Sequence, residues 1–287
     1  MLGVFEATTP CDEVSKSLLQ IPLAIKCEMM KWALTLYQDP RTSGPTQYTL
    51  VYTYGMPKQG TRGFMEGATT VELTGRWTVD RATKEHPGWV IYQLKSDKSR
   101  ISLNFLNPNQ NLLHLLDSDK NLMVGTGAWS YTLNRRDPVN LSPNEIQTQK
   151  VAVSNISSDS VVFNARTPCY EPLLALFGKP VTGCQLIKCQ LVLYQEAETH
   201  KPTSFKLYTV HVGTGDNKYL TSGKWMVIKG TKSDPQAIVY ELQTGPEKSE
   251  PPIRFLKGDD NILFMLDKDM NLMTGNSYCS YTFNRKR

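Results

Sequence analysis

Long apolar runs and blocks of like charge are both missing from this 287-residue chain. No stretch approaches the roughly 18 consecutive apolar residues of a membrane-spanning helix, because the richest runs, at 21–25 and 112–116, are interrupted by Pro22 and His114. The net charge is +5, and the 32 basic residues are scattered rather than gathered into the stripe that nucleic-acid binders present. We therefore expect neither a transmembrane segment nor nucleic-acid binding.

Sequence signatures of common enzymes are also missing. The chain has no G-x-S-x-G nucleophile elbow, no P-loop and no dinucleotide-binding fingerprint. It contains only 4 histidines, and nothing in the order of its Ser, His and Asp residues suggests a catalytic triad. We therefore expect a noncatalytic protein without a cofactor. The 40% hydrophobic share is typical of a folded globular chain.

What the chain does contain is an internal repeat. Residues 111–135 and 261–285 share 14 identities over 25 aligned positions, where average composition predicts about one or two. Further matches upstream keep the same order: Cys11 with Cys169, Cys27 with Cys184, and Trp77 with Trp225. We therefore divide the chain into copy 1 at residues 1–135, a linker rich in Ser, Asn and Asp at 136–162, and copy 2 at 163–287.

The two copies differ most in length between Gln38 and Gly75. Matched positions lie 157 residues apart at Cys27 and Cys184 but 148 residues apart at Gly75 and Gly223, so this region is nine residues shorter in copy 2. Length changes between matched blocks fall in loops. We therefore expect a longer loop in copy 1 at this place.

Within each copy, apolar and polar residues alternate, which predicts half-buried strands. In copy 1 the alternating segments are 32–37, 48–53, 71–79, 89–94, 101–106, 111–116, 122–124 and 128–133. About eight consecutive strands with short turns predict an all-β chain of two tandem antiparallel up-and-down barrels, lipocalin-like, with a two-layer sandwich as the alternative for each copy. A short N-terminal helix is expected at 12–19, capped by Asp12 or Ser15, and a shorter turn at 171–177.

Four of the 6 cysteines form a repeated pair. Cys11 with Cys27 and Cys169 with Cys184 occupy matching places, which predicts two local disulfides. Closing a loop of about 16 residues stabilises a fold by about 3 kcal/mol in the chain-entropy estimate. Each disulfide would pin the beginning of a copy to its first predicted strand.

The other two cysteines replace tryptophans. Cys189 stands where copy 1 has Trp32, and Cys279 stands where copy 1 has Trp129. The first and last strands of a closed barrel are neighbours, and we place these residues on those strands. The expectation is an aromatic pair in copy 1 and a third disulfide, Cys189–Cys279, in copy 2, with two buried thiols as the alternative. Disulfides indicate an oxidising compartment.

Two aromatic pairs recur at equivalent strand positions: Trp77 with Tyr92, and Trp225 with Tyr240. Their expected role is packing at the barrel end. Because an eight-stranded barrel either fills with side chains or holds one small ligand, these four residues are also the candidate binding site for a small apolar molecule.

Metal binding receives little support. The turns at 117–121 and 267–271 begin like calcium loops, but leucine stands at the glycine position and no glutamate follows, so we expect hairpin turns and assign no metal site. Copper remains the alternative function, because cysteine and methionine are ligands that Cu(I) prefers. The methionines in question are Met29, Met30, Met123 and Met273.

Three repeated motifs carry a family resemblance: Thr-Pro-Cys at 9–11 and 167–169, Gly-x-Trp at 75–77 and 223–225, and the hairpins at 115–123 and 265–273. They resemble the N-terminal domain of the copper-resistance lipoprotein NlpE, here in tandem. The resemblance implies a small lipocalin-like barrel in a bacterial outer-membrane lipoprotein connected with copper tolerance and envelope-stress signalling. The family's Pro-Cys-x-x-Cys motif is altered, since Val14 replaces its second cysteine and the partner thiol lies at Cys27.

Together these patterns predict an exported, noncatalytic module of the cell envelope. The expected ligand is a small apolar molecule or an envelope protein, and the alternative is a copper-binding protein. The expected location is the periplasm or the outer membrane. A lipid anchor would require a segment upstream of residue 1, because Cys11 follows Thr-Thr-Pro rather than a lipobox.

Overall fold

The computed structural model of the chain describes residues 1–81, 90–141, 146–150, 160–169, 183–213, 215, 217–231, 234, 236–244 and 251–286. The expected turn at 171–177 lies outside these residues. The first barrel comprises β1 Gly3–Pro10, α1 Glu13–Leu18, β2 Met29–Gln38, β3 Pro45–Gly55, β4 Thr69–Arg81, β5 Val90–Ser96, β6 Ser102–Asn109, β7 Leu112–Leu116 and β8 Thr132–Arg135.

The strands of the second half of the chain are β9 Ile146–Lys150, β10 Ser160–Thr167, β11 Leu186–Gln195, β12 Pro202–Val212, β13 Asn217–Thr231, β14 Ile238–Gln243, β15 Ile253–Lys257, β16 Ile262–Leu266 and β17 Thr282–Arg285. Apart from β9, they repeat the strand order of the first half. Strands β10 to β17 form the second barrel, and β9 adds to it by pairing with β13.

Both barrels are closed and antiparallel, and consecutive strands are neighbours throughout. The first closes where β1 pairs with β8, with Phe5 opposite Arg135. The second closes identically where β10 pairs with β17, with Phe163 opposite Arg285. Closure gives each of the barrel strands, β1–β8 and β10–β17, a neighbour on both sides. The predicted fold class of two tandem up-and-down barrels is confirmed.

The chain divides into two compact units that do not follow the repeat boundary. Unit 1 comprises Met1–Gly125, Trp129–Val139 and Thr274–Ser280. Unit 2 comprises Thr126–Ala128, Asn140–Met273 and Tyr281–Arg287. Each unit therefore contains a short segment from the other copy. The predicted boundaries also need correction at 136–162, because this stretch contains β9 and the first residues of β10 rather than a bare linker.

The strand that closes each barrel was not among the predicted strands. β1 pairs with β2, with Ala7 opposite Trp32, and also with β8, with Glu6 opposite Asn134. The strand that carries Trp32 is therefore the second strand of its barrel, and β1 separates it from the last strand, β8. The ring beside Trp32 is that of Tyr52, at 5.9 Å between centroids. The predicted seam between Trp32 and the last strand is wrong for this reason.

The same displacement explains the cysteines of copy 2. Cys189 lies on β11 between Ala165 of β10 and Thr209 of β12. Cys279 precedes β17 and belongs to unit 1, whereas β11 belongs to unit 2. The predicted third disulfide is not formed, and both residues are buried thiols.

The repeated cysteines lie in two local disulfides. Cys11 bonds Cys27 across 16 residues, and Cys169 bonds Cys184 across 15 residues. The first bond ties the end of β1 to the chain that enters β2, with α1 between them. Asp12 caps this helix by accepting a hydrogen bond from the Ser15 amide at 2.9 Å. Among the described residues, no helix has the length and the apolar composition that crossing a bilayer requires.

The Gly-x-Trp motif brings two strands of each barrel unusually close. A Cβ atom at Gly75 would lie 2.0 Å from the carbonyl oxygen of Lys95 on β5, and one at Gly223 would lie 1.9 Å from that of Gln243 on β14. No other residue than glycine fits such an approach without backbone movement. The motif is therefore a packing requirement of the barrel.

Inward-pointing side chains form a hydrophobic core in each barrel. Alternate residues of β2, Trp32, Leu34 and Leu36, point inward and are at most 3% exposed. In the second barrel, Leu191 and Leu193 of β11 take the equivalent places. Their intervening neighbours lie on the outer face, as the pleat of a strand requires. The outer face is therefore where the two copies are free to differ.

Candidate functional site

A cleft of about 270 Å³ lies on the outer face of the first barrel. Its walls come from β1, β2 and β3, from Arg62 in the loop that follows β3, and from Ser277 and Tyr278. We call it the outer cleft. All of its residues belong to unit 1, because the segment Thr274–Ser280 is part of that unit.

Strand register arranges the floor of the outer cleft in two rows. In the first row, Lys31 on β2 stands between Thr8 on β1 and Thr53 on β3. In the second row, Ala33 replaces the lysine and is flanked by Glu6 and Val51. Residues two apart on a strand share a face, so one end of the cleft is cationic and hydroxylated. The other end, at Ala33 and Val51, is small and apolar apart from Glu6.

The long loop of copy 1 supplies the cover of the cleft. Residues 56–68 connect β3 to β4, and a bridge pairs Pro57 with Phe64. The Lys58 amide donates to the Gly63 carbonyl at 3.0 Å, which narrows the loop into a small hairpin. In copy 2 the connection between the equivalent strands is residues 213–216. The nine-residue difference seen in the sequence is therefore this loop.

Two cations face the outer cleft, and each is held against an aromatic ring. The Lys31 ammonium lies 5.6 Å from the centroid of Phe64, and the Arg62 guanidinium lies 5.1 Å from that of Tyr278. Such cation–π contacts favour fixed positions for charged heads. Burial, and after it the nearby charge of Arg62, lowers the pKa of Lys31 below its ordinary 10.5. The charge of Arg62 on the loop therefore acts on the ammonium of Lys31 on the barrel wall.

The opposite end of the cleft carries the carboxylate of Glu6. This side chain is 20% exposed and forms an ion pair with Arg136 at 2.5 Å. Its charge is thus compensated from outside the lining of the cleft. The two ends of the cleft consequently differ in sign: a paired carboxylate at one and two cations at the other.

Hydrogen bonds anchor the segment Thr274–Ser280 within unit 1. The side-chain amide of Asn134 donates to the Asn276 carbonyl at 3.0 Å and accepts from the Gly275 amide at 2.7 Å. The Thr8 hydroxyl donates to the Ser277 carbonyl at 2.9 Å. This bonding fixes the backbone that leads into Tyr278, which forms the remaining wall of the cleft.

The equivalent surface of the second barrel lacks most of these groups. Lys188 matches Lys31 and is exposed. Asn164 replaces the carboxylate of Glu6, and Val210 replaces the hydroxyl of Thr53. No counterpart of Arg62 exists in the sequence, because the short connection ends before that position. The cleft is therefore a feature of copy 1.

The four aromatic residues of the predicted ligand site pack against each other in two pairs, which is the packing role also expected of them. The rings of Trp77 and Tyr92 are 4.8 Å apart, and those of Trp225 and Tyr240 are 5.1 Å apart. Each indole is at most 3% exposed and donates to a backbone carbonyl, at 2.7 Å to Tyr37 and 2.6 Å to Tyr194 respectively. Burial raises the pKa of both tyrosines. These contacts are typical of aromatic side chains that pack at the end of a barrel.

Histidine and aspartate in the repeated hairpin have structural roles. His114 is fully buried, its Nε2 donates to the Met123 carbonyl at 3.0 Å, and its Nδ1 accepts from the Thr132 hydroxyl at 2.8 Å. Burial lowers the pKa of His114 to about 4. Asp117 accepts from the backbone amides of Asp119 and Asn121. The aspartate therefore holds a hairpin turn, as expected.

The methionines considered as copper ligands are part of the hydrophobic packing. Met29 and Met30 are at most 1% exposed, Met123 is 5% exposed, and Met273 packs against the second core. Over the described ranges, His, Cys, Asp and Glu side chains do not come together in any group of three that could hold a metal ion.

Comparison with known proteins identifies no relative of this chain. No protein-family model matches the chain. No curated protein and no solved structure matches it either. The resemblance to the NlpE N-terminal domain therefore stays a prediction.

Sequence reasoning missed the outer cleft. One signal was present, because the longer loop of copy 1 already marked residues 39–74 as different. The strand register that aligns Thr8, Lys31 and Thr53 depended on recognising β1, which was not predicted. The contribution of Ser277 and Tyr278 comes from more than 200 residues away in the chain and left no local signal.

Proposed function

We propose that the protein is an exported, noncatalytic binding protein and that its binding surface is the outer cleft of unit 1. The observation that carries the proposal is the cover that the loop 56–68 places over Lys31. The second barrel closes with a four-residue connection in the same place. Barrel closure therefore does not require the long loop, and a binding role accounts for it.

The packing of the barrel interiors moves the proposed ligand to the outside. Trp77 and Trp225 are engaged with tyrosine rings and with backbone carbonyls. The outer cleft instead offers an open volume lined by polar and charged groups together with Ala33 and Val51. Sites of this kind, with a few placed polar groups beside an apolar surface, are typical of ligand binding.

Two disulfides support export, because such bonds persist in oxidising compartments. We assign the protein to the periplasm or the outer membrane, in keeping with the resemblance to NlpE. A role in envelope-stress sensing is part of the same proposal. It requires that occupancy of the cleft change with the state of the envelope.

Native mass spectrometry tests the proposal. The wild type is compared with a variant in which residues 56–68 are replaced by the Gly-Thr-Gly-Asp connection of copy 2, and with Lys188→Met as a matched surface control. After incubation with a small-molecule extract, we expect a bound species on the wild type and on Lys188→Met but not on the loop variant. Near-ultraviolet circular dichroism checks that the loop variant remains folded.

Two results would overturn the proposal. One is an empty wild type after exposure to the extract, and the other is the same adduct on the folded loop variant. Retention of copper by the wild type, independent of the loop, would favour the copper-binding alternative instead.

A further inference from the structure

We infer that the outer cleft binds a small oxyanion, a carboxylate or a phosphate group, between Lys31 and Arg62. This inference rests on the proposed function and names the chemistry of its ligand. The two side chains come from separate elements, Lys31 from β2 and Arg62 from the loop 56–68, and both line the same cavity.

Charge is the first argument. The cations of Lys31 and Arg62 face a common space, and like charges at short range destabilise each other. The two rings that hold them, Phe64 and Tyr278, keep the charged heads in place rather than letting them separate. A bound anion between the heads converts this repulsion into two charge-assisted hydrogen bonds. Arginine and lysine together are well suited to oxygen anions.

The hydroxyl groups beside Lys31 provide the second argument. Thr53 lies directly opposite Lys31 and bonds to the Thr70 hydroxyl at 2.9 Å. When Thr70 donates in this bond, the Thr53 hydroxyl keeps its own proton for a ligand oxygen. Thr8, on the other side of Lys31, is occupied by the Ser277 carbonyl. The donors available to a ligand thus converge on the Lys31 and Thr53 side of the cleft.

Glu6 determines how an anionic ligand is oriented in the cleft. Its carboxylate repels an anion from the far end of the cleft, even though Arg136 compensates part of that charge. The small side chains of Ala33 and Val51, in the same row as Glu6, leave room for a short apolar body at that end. A cavity of about 270 Å³ is at the small end of ligand sites. The ligand is therefore compact, with its anionic oxygens toward Lys31.

Nuclear magnetic resonance titration tests the inference at constant ionic strength with three probes: inorganic phosphate, acetate and chloride. We expect saturable shifts at Lys31 and in the loop 56–68 with phosphate, acetate or both, and no saturation with chloride. Lys31→Met and Arg62→Gln should each weaken the binding at least tenfold. Lys188→Met removes the matching lysine of copy 2 and should leave the affinity unchanged.

Equal responses to chloride, or phosphate and acetate affinities that neither Lys31→Met nor Arg62→Gln reduces, would overturn the inference. Saturation by only one of phosphate and acetate identifies which oxyanion chemistry the site prefers. A neutral or cationic species that depends on the loop in native mass spectrometry would overturn the anion inference alone. Absence of any loop-dependent ligand would overturn the proposed function with it.

Discussion

The two barrels are built alike on the inside and differently on the outside. Both close through the same pairing of first and last strands, and both carry a buried tryptophan that donates to an equivalent backbone carbonyl. Their outer faces differ in charge, in hydroxyl groups and in the loop after the third strand. The comparison teaches that packing constrains the interior of this fold, whereas the outer face and its loops can acquire a binding surface.

One interior position departs from that rule. His114 is buried in the first barrel, and Phe264 stands at the matching place in the second. The threonine beside it is retained, as Thr132 in one barrel and Thr282 in the other. The first barrel therefore holds a buried titratable group where the second holds a hydrocarbon ring. At this position unit 1 therefore has a group that responds to acid and unit 2 does not, although burial also lowers the pKa of His211 elsewhere in unit 2.

The largest expected effect tests the shared interior. Gly75→Ala and Gly223→Ala each force a methyl group against the backbone carbonyl of the adjacent strand. We expect each substitution to lower the unfolding free energy of its own unit by about 3 kcal/mol, the upper range for overpacking. Urea unfolding measures the loss. Gly63→Ala, where the added Cβ would make an ordinary 3.5 Å contact, is the control with little change. A tolerated Gly223→Ala would show that the second barrel does not share the constraint.

The next effect concerns the response of unit 1 to pH through His114. The pKa of His114 is about 4 in the folded state, against an ordinary 6.5, so the unfolded state binds more protons between these values. Stability of unit 1 is therefore full above pH 6.5 and falls as the pH drops toward 4, by about 2 kcal/mol between pH 7.5 and pH 5. His114→Phe, which copies the second barrel, should remove this part of the acid sensitivity.

The reverse substitution, Phe264→His, is the matched control for that experiment. It should introduce the same loss of stability below pH 6.5 into unit 2. Chemical unfolding followed at several pH values measures both variants. An unchanged pH profile for His114→Phe would contradict the role given to this histidine.

A smaller effect is expected when the two buried tryptophans, Trp77 and Trp225, are compared. Trp77→Phe and Trp225→Phe retain an aromatic ring but delete the hydrogen bond to the carbonyl of Tyr37 or Tyr194. We expect each to cost between about 1 and 2 kcal/mol, the usual loss when a buried acceptor loses its donor. Thermal unfolding measures the two variants side by side. A loss confined to one of them would break the equivalence of the barrels.

Much of the interior could be predicted from the sequence, since strand alternation and the repeat both reflect packing. The first strand escaped because its inward residues include Ala7 and Thr9, whose small size gives a weak hydrophobic pattern. That omission shifted every strand by one place and produced the wrong seam between Cys189 and Cys279. A single missing strand thus changes which neighbours a closed barrel brings together.

The candidate site was less predictable than the fold. Its chemistry depends on which outward residues are in register across β1 to β3, and on a segment from the distant Thr274–Ser280. Neither follows from local pattern. The length difference at residues 56–68 was the one signal in the sequence. It showed where the two copies differ but not which groups would line a site there.

The most direct test of the account is the pKa of Lys31, measured by the pH dependence of its side-chain resonances. We expect a value below 10.5 in the wild type, because the barrel wall and the loop bury the ammonium and Arg62 lies close to it. Replacing residues 56–68 with the connection of copy 2 should move the pKa upward toward 10.5, and Arg62→Gln should move it part of the way. A Lys31 pKa that is the same in all three proteins would contradict the claim that the loop and β2 together form the outer cleft.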